Sequence, residues 1–501
     1  MSLPVSAFAT KGTKNKPNIL FIAVDDLRPE LGCYGNRIIK SPNIDRLAKE
    51  GILFSRAYCQ QAICGPSRAS LMTGLRPDSC KVTHNETYFR NEVPEVITLP
   101  QYFRQHGYTT ISIGKIYHGK QNDPEKSWSR KPFFPVQSHK LSPKKQKQVT
   151  VYDDVPDNAY KDGHSAEEAV RTLRDLKANS RPFFLGIGFY KPHLSFHAPK
   201  KYWDLYNPDQ IELTDVKQPP EGAPSISLHC SYELRVRDGV PDSGPIDAEL
   251  SRHLMHGYYA CVSYVDAQIG KILDELERLQ LRENTIIMLW GDHGWHLGDY
   301  DIWGKATNYE IATRVPLIVS APGMKARGKS SNALVEFLDI YPTLCELADL
   351  PVPSHVEGKS FMPLLNNPDL EAKNAAFSQF PCPALREWAA RPFQPNMRER
   401  FKNLIEKTEV QIQEEFGDVW SRELFENHLM GYTMRTDRYR FVRWVDVRNP
   451  EKALAVELYD HQTDPDETVN LAKNPEYSVL VKELEKQMVQ AGISAKPVSI
   501  Q

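Results

Sequence analysis

Short apolar runs that end abruptly in polar residues recur along the chain. The first covers residues 19–24 and ends at Asp25-Asp26. Runs at residues 108–113, 183–189 and 285–290 end in the same way, at Gly114, Tyr190 and Gly291. Runs of this length, rich in branched and aromatic side chains, are typical of buried strands in a parallel sheet. The pattern therefore predicts at least four strands, one for each of these runs.

Between these runs lie segments with helical periodicity, at residues 41–51, 164–179 and 250–281. The last has apolar side chains along one face, including Tyr258, Val262, Val265 and Ile269. Strands that alternate with helices predict an α/β sandwich around a mostly parallel sheet. In such sheets ligands bind at the carboxyl ends of the strands, which is where the polar residues fall.

Two further features concern domain organisation. Residues 120–162 and 207–247 are predicted to be long loops, which often shape a substrate pocket. Beyond residue 381 the alternation stops: a charged helical stretch at 397–425 precedes two strand patterns, at 432–444 and 455–460. We predict a large α/β domain over residues 1–385 and a smaller α+β domain with an antiparallel sheet over 386–501.

Composition narrows the function. The chain has 501 residues and a formal net charge of −2, which argues against a nucleic-acid binder that relies on overall basicity. An anionic substrate therefore needs a local cluster of Lys, Arg and His. No window approaches the roughly 18–20 consecutive apolar residues of a membrane span.

The cysteines and the N-terminus bear on the compartment. The eight cysteines are scattered with no Cys-x-x-Cys pair, so neither a zinc site nor a dense disulfide framework is indicated. Ala7-Phe8-Ala9 has the small-x-small pattern of a signal-peptidase site. It predicts a periplasmic, secreted or lysosome-like protein whose leader has been removed; a cytosolic N-terminus is the alternative.

One cysteine lies in a distinctive motif. Cys64 begins the segment Cys-Gly-Pro-Ser-Arg, with Thr73-Gly74 downstream. The residues alone allow a buried Cys at a helix start, with Pro66 in the first turn. The motif, however, resembles the signature of type I sulfatases, in which a maturation enzyme (formylglycine-generating or anaerobic sulfatase-maturating) oxidises the Cys to formylglycine. The resemblance implies a hydrated aldehyde: one hydroxyl attacks sulfur and the other later expels sulfate, whereas Ser or Cys would be left as a stable ester.

A second constellation is acidic. Asp25-Asp26 and Asp292-His293 follow two predicted strands and would converge in a parallel sheet. Mostly oxygen donors favour Ca²⁺ or Mg²⁺ over zinc, although each Asp alone could instead cap a helix. The resemblance implies that these four residues and Cys64 bind one such cation.

A third set is cationic. Lys115, His118, His193 and Lys305 also lie after or near strand ends. A sulfate ester transition state needs fixed positive donors and a proton source. The resemblance implies that Lys115 and His118 hold and deprotonate the formylglycine diol, and that His193 and Lys305 bind the sulfate, one of them protonating the leaving group.

Three more residues flank these motifs. By the same resemblance, Arg68 steadies the formylglycine and the metal carboxylates. Lys191 and His296 are predicted to contact substrate, with core packing or the pocket rim as the alternative for each.

The resemblance extends over nearly the whole chain, through segments such as Tyr190-Lys-Pro-His193 and Asp292-His-Gly-Trp-His296. The run 305–310 and the run 431–436 are similar to the iduronate 2-sulfatase subgroup. The resemblance implies an alkaline-phosphatase-like sandwich with a small C-terminal domain, and removal of sulfate from glycosaminoglycan or other sulfated polysaccharide fragments. Two alternatives stay open: a phosphate or phosphonate monoester hydrolase of the same superfamily, and an inactive glycan-binding homologue.

Overall fold

The computed structural model describes residues 16–119, 121–179, 181–389 and 391–493, so the Ala7-Phe8-Ala9 pattern lies outside it. Its strands, in chain order, are β1 Asn18–Asp25, β2 Ile52–Tyr58, β3 Thr109–Gly114, β4 Thr150–Val151, β5 Phe183–Pro192, β6 Phe196–His197, β7 Thr285–Gly291, β8 His296–Leu297, β9 Trp303–Gly304, β10 Arg314–Ser320, β11 Lys329–Ser331, β12 Val335–Glu336, β13 Ala375–Pro381, β14 Leu429–Thr436, β15 Tyr439–Asp446 and β16 Ala453–Asp460.

The α-helices, in the same order, are α1 Pro42–Glu50, α2 Cys64–Thr73, α3 Pro77–Cys80, α4 Phe89–Glu92, α5 Leu99–Gln105, α6 Pro143–Lys147, α7 Lys161–Asn179, α8 Lys200–Trp203, α9 Tyr232–Arg235, α10 Ala248–Arg278, α11 Glu310–Thr313, α12 Ile340–Leu347, α13 Pro383–Arg386, α14 Met397–Arg400, α15 Lys402–Phe416, α16 Arg422–Asn427 and α17 Ser478–Gln490. None of the helices in the described ranges is long and apolar enough to cross a membrane.

The large sheet has eight strands in the order β11-β2-β10-β7-β1-β5-β3, with β12 also paired to β2. The pairs β7-β1, β1-β5 and β5-β3 are parallel, whereas β10 runs antiparallel to both β2 and β7. Consequently β2 runs in the same direction as β7, β1, β5 and β3. The predicted mostly parallel sheet is confirmed, with β10 as a reversed strand that the sequence pattern had not indicated.

Helices cover both faces of this sheet because successive side chains of a strand point to opposite sides. On β1, Leu20 and Ile22 pack into a core formed with α1, α7 and α10. Ile19 and Phe21 pack into a second core formed with α2, α5 and α12. Burial on both sides explains why this strand is an uninterrupted apolar run.

The smaller sheet is antiparallel, with the order β13-β14-β15-β16. The predicted antiparallel sheet is confirmed, but the prediction of one strand over residues 432–444 is wrong. That segment is a hairpin, because the chain turns at Asp437 and Arg438 and Thr436 Oγ1 accepts a hydrogen bond from the Tyr439 N–H at 2.9 Å. The strand β13 begins before the predicted boundary at residue 385, and that boundary stays a prediction.

The long 207–247 segment packs against the C-terminal part of the chain. Ile226 and Tyr232 share an apolar cluster with residues of α13, α15 and α16. The charged stretch predicted at 397–425 is three helices, α14 to α16, rather than one. All eight cysteines are free thiols.

Candidate active site at the carboxyl edge of the large sheet

The ends of four adjacent parallel strands bring the predicted residues together. Asp25 ends β1, and Asp292 follows β7, its neighbour on one side. His193 follows β5, the neighbour on the other side, and Lys115 follows β3 beyond it. Parallel neighbours end at the same edge of a sheet, so side chains far apart in sequence meet there.

Cys64 is the first residue of α2, and β2 delivers it to the same edge. The side chain is buried, with Sγ 3.3 Å from His293 Nε2, 3.5 Å from Lys115 Nζ and 4.0 Å from Asp26 Oδ1. Burial first, and then the Asp25 carboxylate, raise the pKa of the thiol well above its ordinary value. An unmodified Cys64 is therefore held as a neutral thiol, which is a weak nucleophile.

Carboxylate and imidazole donors cluster around this thiol. In each of two groups the potential ligand atoms lie within 4.8 Å of one another: Asp25, Asp26, Cys64 and His193, and Cys64, Asp292 and His293. The structure thus brings together all five residues of the predicted metal set, a donor set rich in carboxylate oxygen that fits a hard divalent cation.

The electrostatic environment of Asp26 also fits a bound cation. Burial raises the pKa of this carboxyl well above its ordinary value; Lys305 opposes the shift, and Asp25, Glu233 and Asp292 add to it. Crowded buried carboxylates are costly unless a cation balances them. His293 Nδ1 lies 3.0 Å from the Gly294 carbonyl oxygen, which can only accept, so Nε2 carries the lone pair that faces Asp26 and Cys64.

Arg68 ties the acidic residues together. Its guanidinium is fully buried; Nε donates to Asp292 Oδ2 at 2.9 Å and Nη2 to Asp25 Oδ1 at 3.1 Å. Nη1 donates to the Ile116 carbonyl oxygen at 3.1 Å. Because Arg68 lies one turn after Cys64 in α2, these bonds fix the start of the helix against the sheet edge.

Lys115 and Asp25 form a buried ion pair beside Cys64. Burial pushes the pKa of Asp25 upward, but Lys115, His193 and Arg68 outweigh it and hold the pKa well below its ordinary value. Asp25 therefore stays ionised, as a ligand of a cation must.

Lys305 and His193 also lie beside Asp26. Lys305 Nζ is 3.0 Å from Asp26 Oδ1 and 4.9 Å from the centre of the Trp295 ring. His193 Nδ1 lies 2.6 Å from the Leu194 carbonyl oxygen, so the Nδ1 hydrogen is engaged and Nε2 faces the site. Burial first, and then Lys305, lower the pKa of His193 well below its ordinary value.

Sequence reasoning missed Glu233, in α9. Its carboxylate lies 3.3 Å from His193 Nε2 and 3.4 Å from Lys305 Nζ. Burial raises its pKa, but Lys305 and His193 outweigh burial and lower it to about 2. The only sequence signal for Glu233 was its position in the 207–247 segment, which was predicted to shape the pocket. A carboxylate is not expected in a site that binds an anion, so its residue type gave no further signal.

A cavity of about 410 Å³ opens beside this cluster, lined by Asp25, Lys115, His118, Lys191 and His193 among others. His118 Nδ1 is buried with no hydrogen-bond partner in the part of the chain that the structure describes. Burial and then Lys115 lower the pKa of His118 to about 3, so the ring is neutral and able to accept a proton.

The other two predicted substrate residues have protein partners. Lys191 Nζ donates to the backbone carbonyl oxygens of His193, at 2.8 Å, and of Ser195. His296 is fully buried, and its Nε2 lies 2.9 Å from Thr307 Oγ1. These contacts support the segments that carry His193 and Lys305, and direct substrate contact stays a prediction.

Comparisons with known proteins bear on the family and the fold of this chain. A sulfatase family model matches residues 17–350. The chain is 34% identical to iduronate 2-sulfatase of Mus musculus, over 93% of both chains, and 34% identical to that of Homo sapiens, over 90% of both.

Among solved structures, a phosphonate monoester hydrolase of Agrobacterium radiobacter superposes with a TM-score of 0.74 at 21% identity, covering 95% of each chain. A structure described as a 2-O glycosaminoglycan sulfatase superposes with a TM-score of 0.67 at 22% identity, covering 95% of this chain and 93% of that one. At these identities the two superpositions show the fold alone.

Proposed function

This chain belongs to the sulfatase family and is a sulfuric ester hydrolase of sulfated sugars, and we propose that it acts on a 2-O-sulfated uronic acid in glycosaminoglycan or similar fragments. The observation that carries the reaction is Cys64, held between metal-type carboxylates and lysine ammonium groups. The identity to the iduronate 2-sulfatases, which extends over nine-tenths of both chains, supports the uronic acid.

We propose that Asp25, Asp26, Asp292, His293 and the modified Cys64 hold one Ca²⁺ or Mg²⁺ ion, which would orient the sulfate and screen its charge. Cys64 would be converted to formylglycine, whose hydrate supplies one hydroxyl to attack sulfur and a second to release sulfate. A thiol with a raised pKa provides neither, so the modification is what makes this position reactive.

The remaining groups divide by role. Lys115 holds the nucleophile beside Asp25, and neutral His118 accepts its proton. Arg68 keeps Asp25 and Asp292 in place by its paired hydrogen bonds. Lys115 and Arg68 need no movement of the sheet edge for these roles, because both side chains are anchored to it.

Lys305 is the fixed positive donor for the sulfate oxygens. Burial holds His193 as a neutral ring with its hydrogen on Nδ1, so His193 first gains a proton at Nε2, beside Glu233, and then delivers it to the leaving sugar oxygen. Glu233 lies against both and stabilises their charged forms. We assign Lys191 and His296 to supporting the segments that carry His193 and Lys305, on the contacts described above.

The burial of Cys64 bears on maturation. Its side chain is 1% exposed, so a maturation enzyme cannot reach it in the folded chain. We propose that a formylglycine-generating or anaerobic sulfatase-maturating enzyme acts before the domain closes, and that the protein works in a periplasmic, secreted or lysosome-like compartment.

Two measurements test the proposal. Peptide mass analysis of the Cys64 segment should find the aldehyde, and purified protein should hydrolyse 4-nitrocatechol sulfate far faster than the matching phosphate ester. Among disaccharides, those with a 2-O-sulfated uronic acid should be preferred over those sulfated only on the amino sugar. Preferential phosphate turnover would favour the monoester hydrolase alternative, and preference for the amino-sugar sulfate would refute the uronic acid assignment.

A further inference from the structure

Arg386, the last residue of α13, is a buried arginine without a partner among the described residues. It is 9% exposed, and its Nε is buried with no hydrogen-bond partner in that part of the chain. Across the described residues, its guanidinium forms no hydrogen bond or ion pair at all. Nε of Arg386 is removed from water, which is costly unless charge or hydrogen bonds compensate it, so its lack of a partner among the described residues points to a ligand.

The neighbours of Arg386 connect the end of α13 to the active site. The next residue, Glu387, accepts a hydrogen bond from the Tyr232 N–H at 3.0 Å, which joins α13 to the helix that carries Glu233. Glu387 also lies 3.5 Å from His229 Nδ1, and His229 Nε2 lies 2.6 Å from the backbone oxygen of Lys305. The end of α13 is therefore fastened to the segments that hold Glu233 and Lys305.

The charge of Arg386 also acts on the segment that contacts the start of α2. Burial lowers the pKa of His84 to about 2, and the charges of Arg386 and Arg391 add to that shift. The next residue, Asn85, accepts a hydrogen bond from the Gly65 N–H at 2.8 Å, directly beside Cys64. His84 and Arg391 also line a cavity of about 540 Å³ between the large domain and the smaller sheet.

Nearby carboxylates do not neutralise this guanidinium. Glu233 is engaged by His193 and Lys305, and Glu387 by the Tyr232 N–H. Glu86 lies 3.5 Å from Arg391 instead. Burial outweighs the attraction of all three acidic residues and lowers the pKa of Arg386. Each acid already has another partner, which leaves Arg386 as the donor available for a ligand.

We propose that Arg386 binds a second anionic group of the substrate, a carboxylate or a further sulfate, while the scissile sulfate lies at Cys64. This inference rests on the proposed function and adds a specificity residue to it. The planar fork of an arginine matches the two oxygens of a carboxylate or sulfate, and the low local dielectric strengthens the contact. Selectivity for doubly anionic saccharides over simple sulfate esters follows.

The test compares Arg386→Met and Arg386→Lys with the wild type. Four substrates are used: 4-nitrophenyl sulfate, a 2-O-sulfated uronic acid disaccharide, its carboxyl-reduced counterpart, and the same disaccharide with an added sulfate on the neighbouring sugar. We expect Arg386→Met to raise KM for the uronic acid disaccharide about tenfold to a hundredfold with little change in kcat, and to leave the aryl sulfate unaffected. The KM of Arg386→Lys for this disaccharide should lie between those of the wild type and Arg386→Met, because lysine keeps the positive charge but lacks the planar guanidinium fork.

The substrates distinguish the two sources of the anion. If the carboxylate is the partner, carboxyl reduction weakens wild-type binding and abolishes the effect of Arg386→Met. If the second sulfate is the partner, the effect of the variant appears only with the doubly sulfated disaccharide. Equal effects of Arg386→Met on all four substrates would overturn the inference.

Stability separates ligand binding from a structural role. Arg386→Met removes an unpaired buried charge and should keep or raise Tm, whereas a structural ion pair would lose stability. Arg398→Met, an exposed change on α14, is the matched control and should alter neither KM nor Tm. Calorimetric binding of the same disaccharides to Cys64→Ala, with and without Arg386→Met, tests the site without turnover. Absence of turnover in the wild type would then count against the proposed function. Equal binding by Cys64→Ala with and without Arg386→Met would count against the role of Arg386.

Discussion

Glu233 Oε1 lies 3.3 Å from Nε2 of His193, the nitrogen that faces the cluster around Cys64. Burial and Lys305 lower the pKa of His193, and a carboxylate so placed acts against that shift by favouring the protonated ring, which is the form that gives a proton to a leaving oxygen. The Glu233 carboxylate also places negative charge near a bound sulfate. Lys305 offsets that charge, because its Nζ lies 3.4 Å from the same carboxylate. The pair explains why an acidic side chain is present in a site for anions.

Glu233→Gln should lower kcat for a sugar sulfate about tenfold to a hundredfold, the usual worth of a hydrogen bond to a charged group. The loss should be much smaller for 4-nitrophenyl sulfate, because its phenolate leaves without a proton. Steady-state kinetics on both substrates measure the difference. Equal losses would assign Glu233 to shaping the pocket.

His193→Ala should show the same preference more strongly, since it removes the proton donor itself. General acid catalysis contributes roughly 10²–10⁴-fold, so kcat for a sulfated uronic acid should fall by that order, with a small loss on the aryl sulfate. Lys305→Ala should slow both substrates alike, because it removes a donor to the sulfate. If His193→Ala slowed both substrates equally, its role would be to position the sulfate.

Cys64→Ala and Cys64→Ser should both lack turnover. A sulfated serine has no second hydroxyl with which to release sulfate, and alanine has no nucleophile. The fold should persist in both variants, because the change removes only one sulfur or replaces it with oxygen. Cys33→Ala, at a half-buried cysteine outside the site, is the control and should keep full activity. Wild-type turnover by either Cys64 variant would contradict the formylglycine mechanism.

Chelation should inactivate the enzyme, and Ca²⁺ or Mg²⁺ should restore activity better than Zn²⁺, because the donors are mostly carboxylate oxygens. Asp25→Ala and Asp292→Ala should behave like the chelated protein, whereas Asp204→Ala, at an exposed position, should not. Elemental analysis identifies the ion. Full activity in a verified metal-free preparation would require another account of the acidic cluster.

The buried carboxylate of Glu336 should control part of the acid stability. Burial raises its pKa, but Arg76 and Lys373 outweigh burial and lower it from 4.5 to about 2. A lowered folded-state pKa means that the stabilisation is full above the unfolded value of 4.5 and is lost as the pH falls toward about 2. Glu336→Gln should therefore cost about 3–5 kcal/mol at pH 7, with a smaller difference at pH 3.

Urea unfolding of wild type and Glu336→Gln across this pH range measures that difference. Glu346→Gln, at an exposed position on α12, is the matched control and should change stability by less than about 0.5 kcal/mol. A difference that stays constant with pH would show that Glu336 contributes through packing.

Much of the site was readable from short motifs. The apolar run of β1 and the Asp25-Asp26 pair at its end were adjacent in sequence, so the strand, its position in the sheet and the acidic cluster at its end could be predicted together. The same holds for β7 with Asp292 and for Cys64 at the start of α2. Local periodicity and local motifs suffice where the chemistry lies directly after the element that positions it.

Contacts between distant segments could not be predicted in this way. Glu233 and Arg386 belong to segments without periodic or motif signals, and their surroundings arise only when α9 and α13 pack beside the sheet edge. The reversed strand β10 likewise depends on its pairing with β2 and β7. Of these, β2 lies more than 200 residues before β10 in the chain. A side chain's burial, partner and charge environment are properties of the packed fold, because segments remote in sequence supply the neighbours that set its desolvation and its hydrogen bonds.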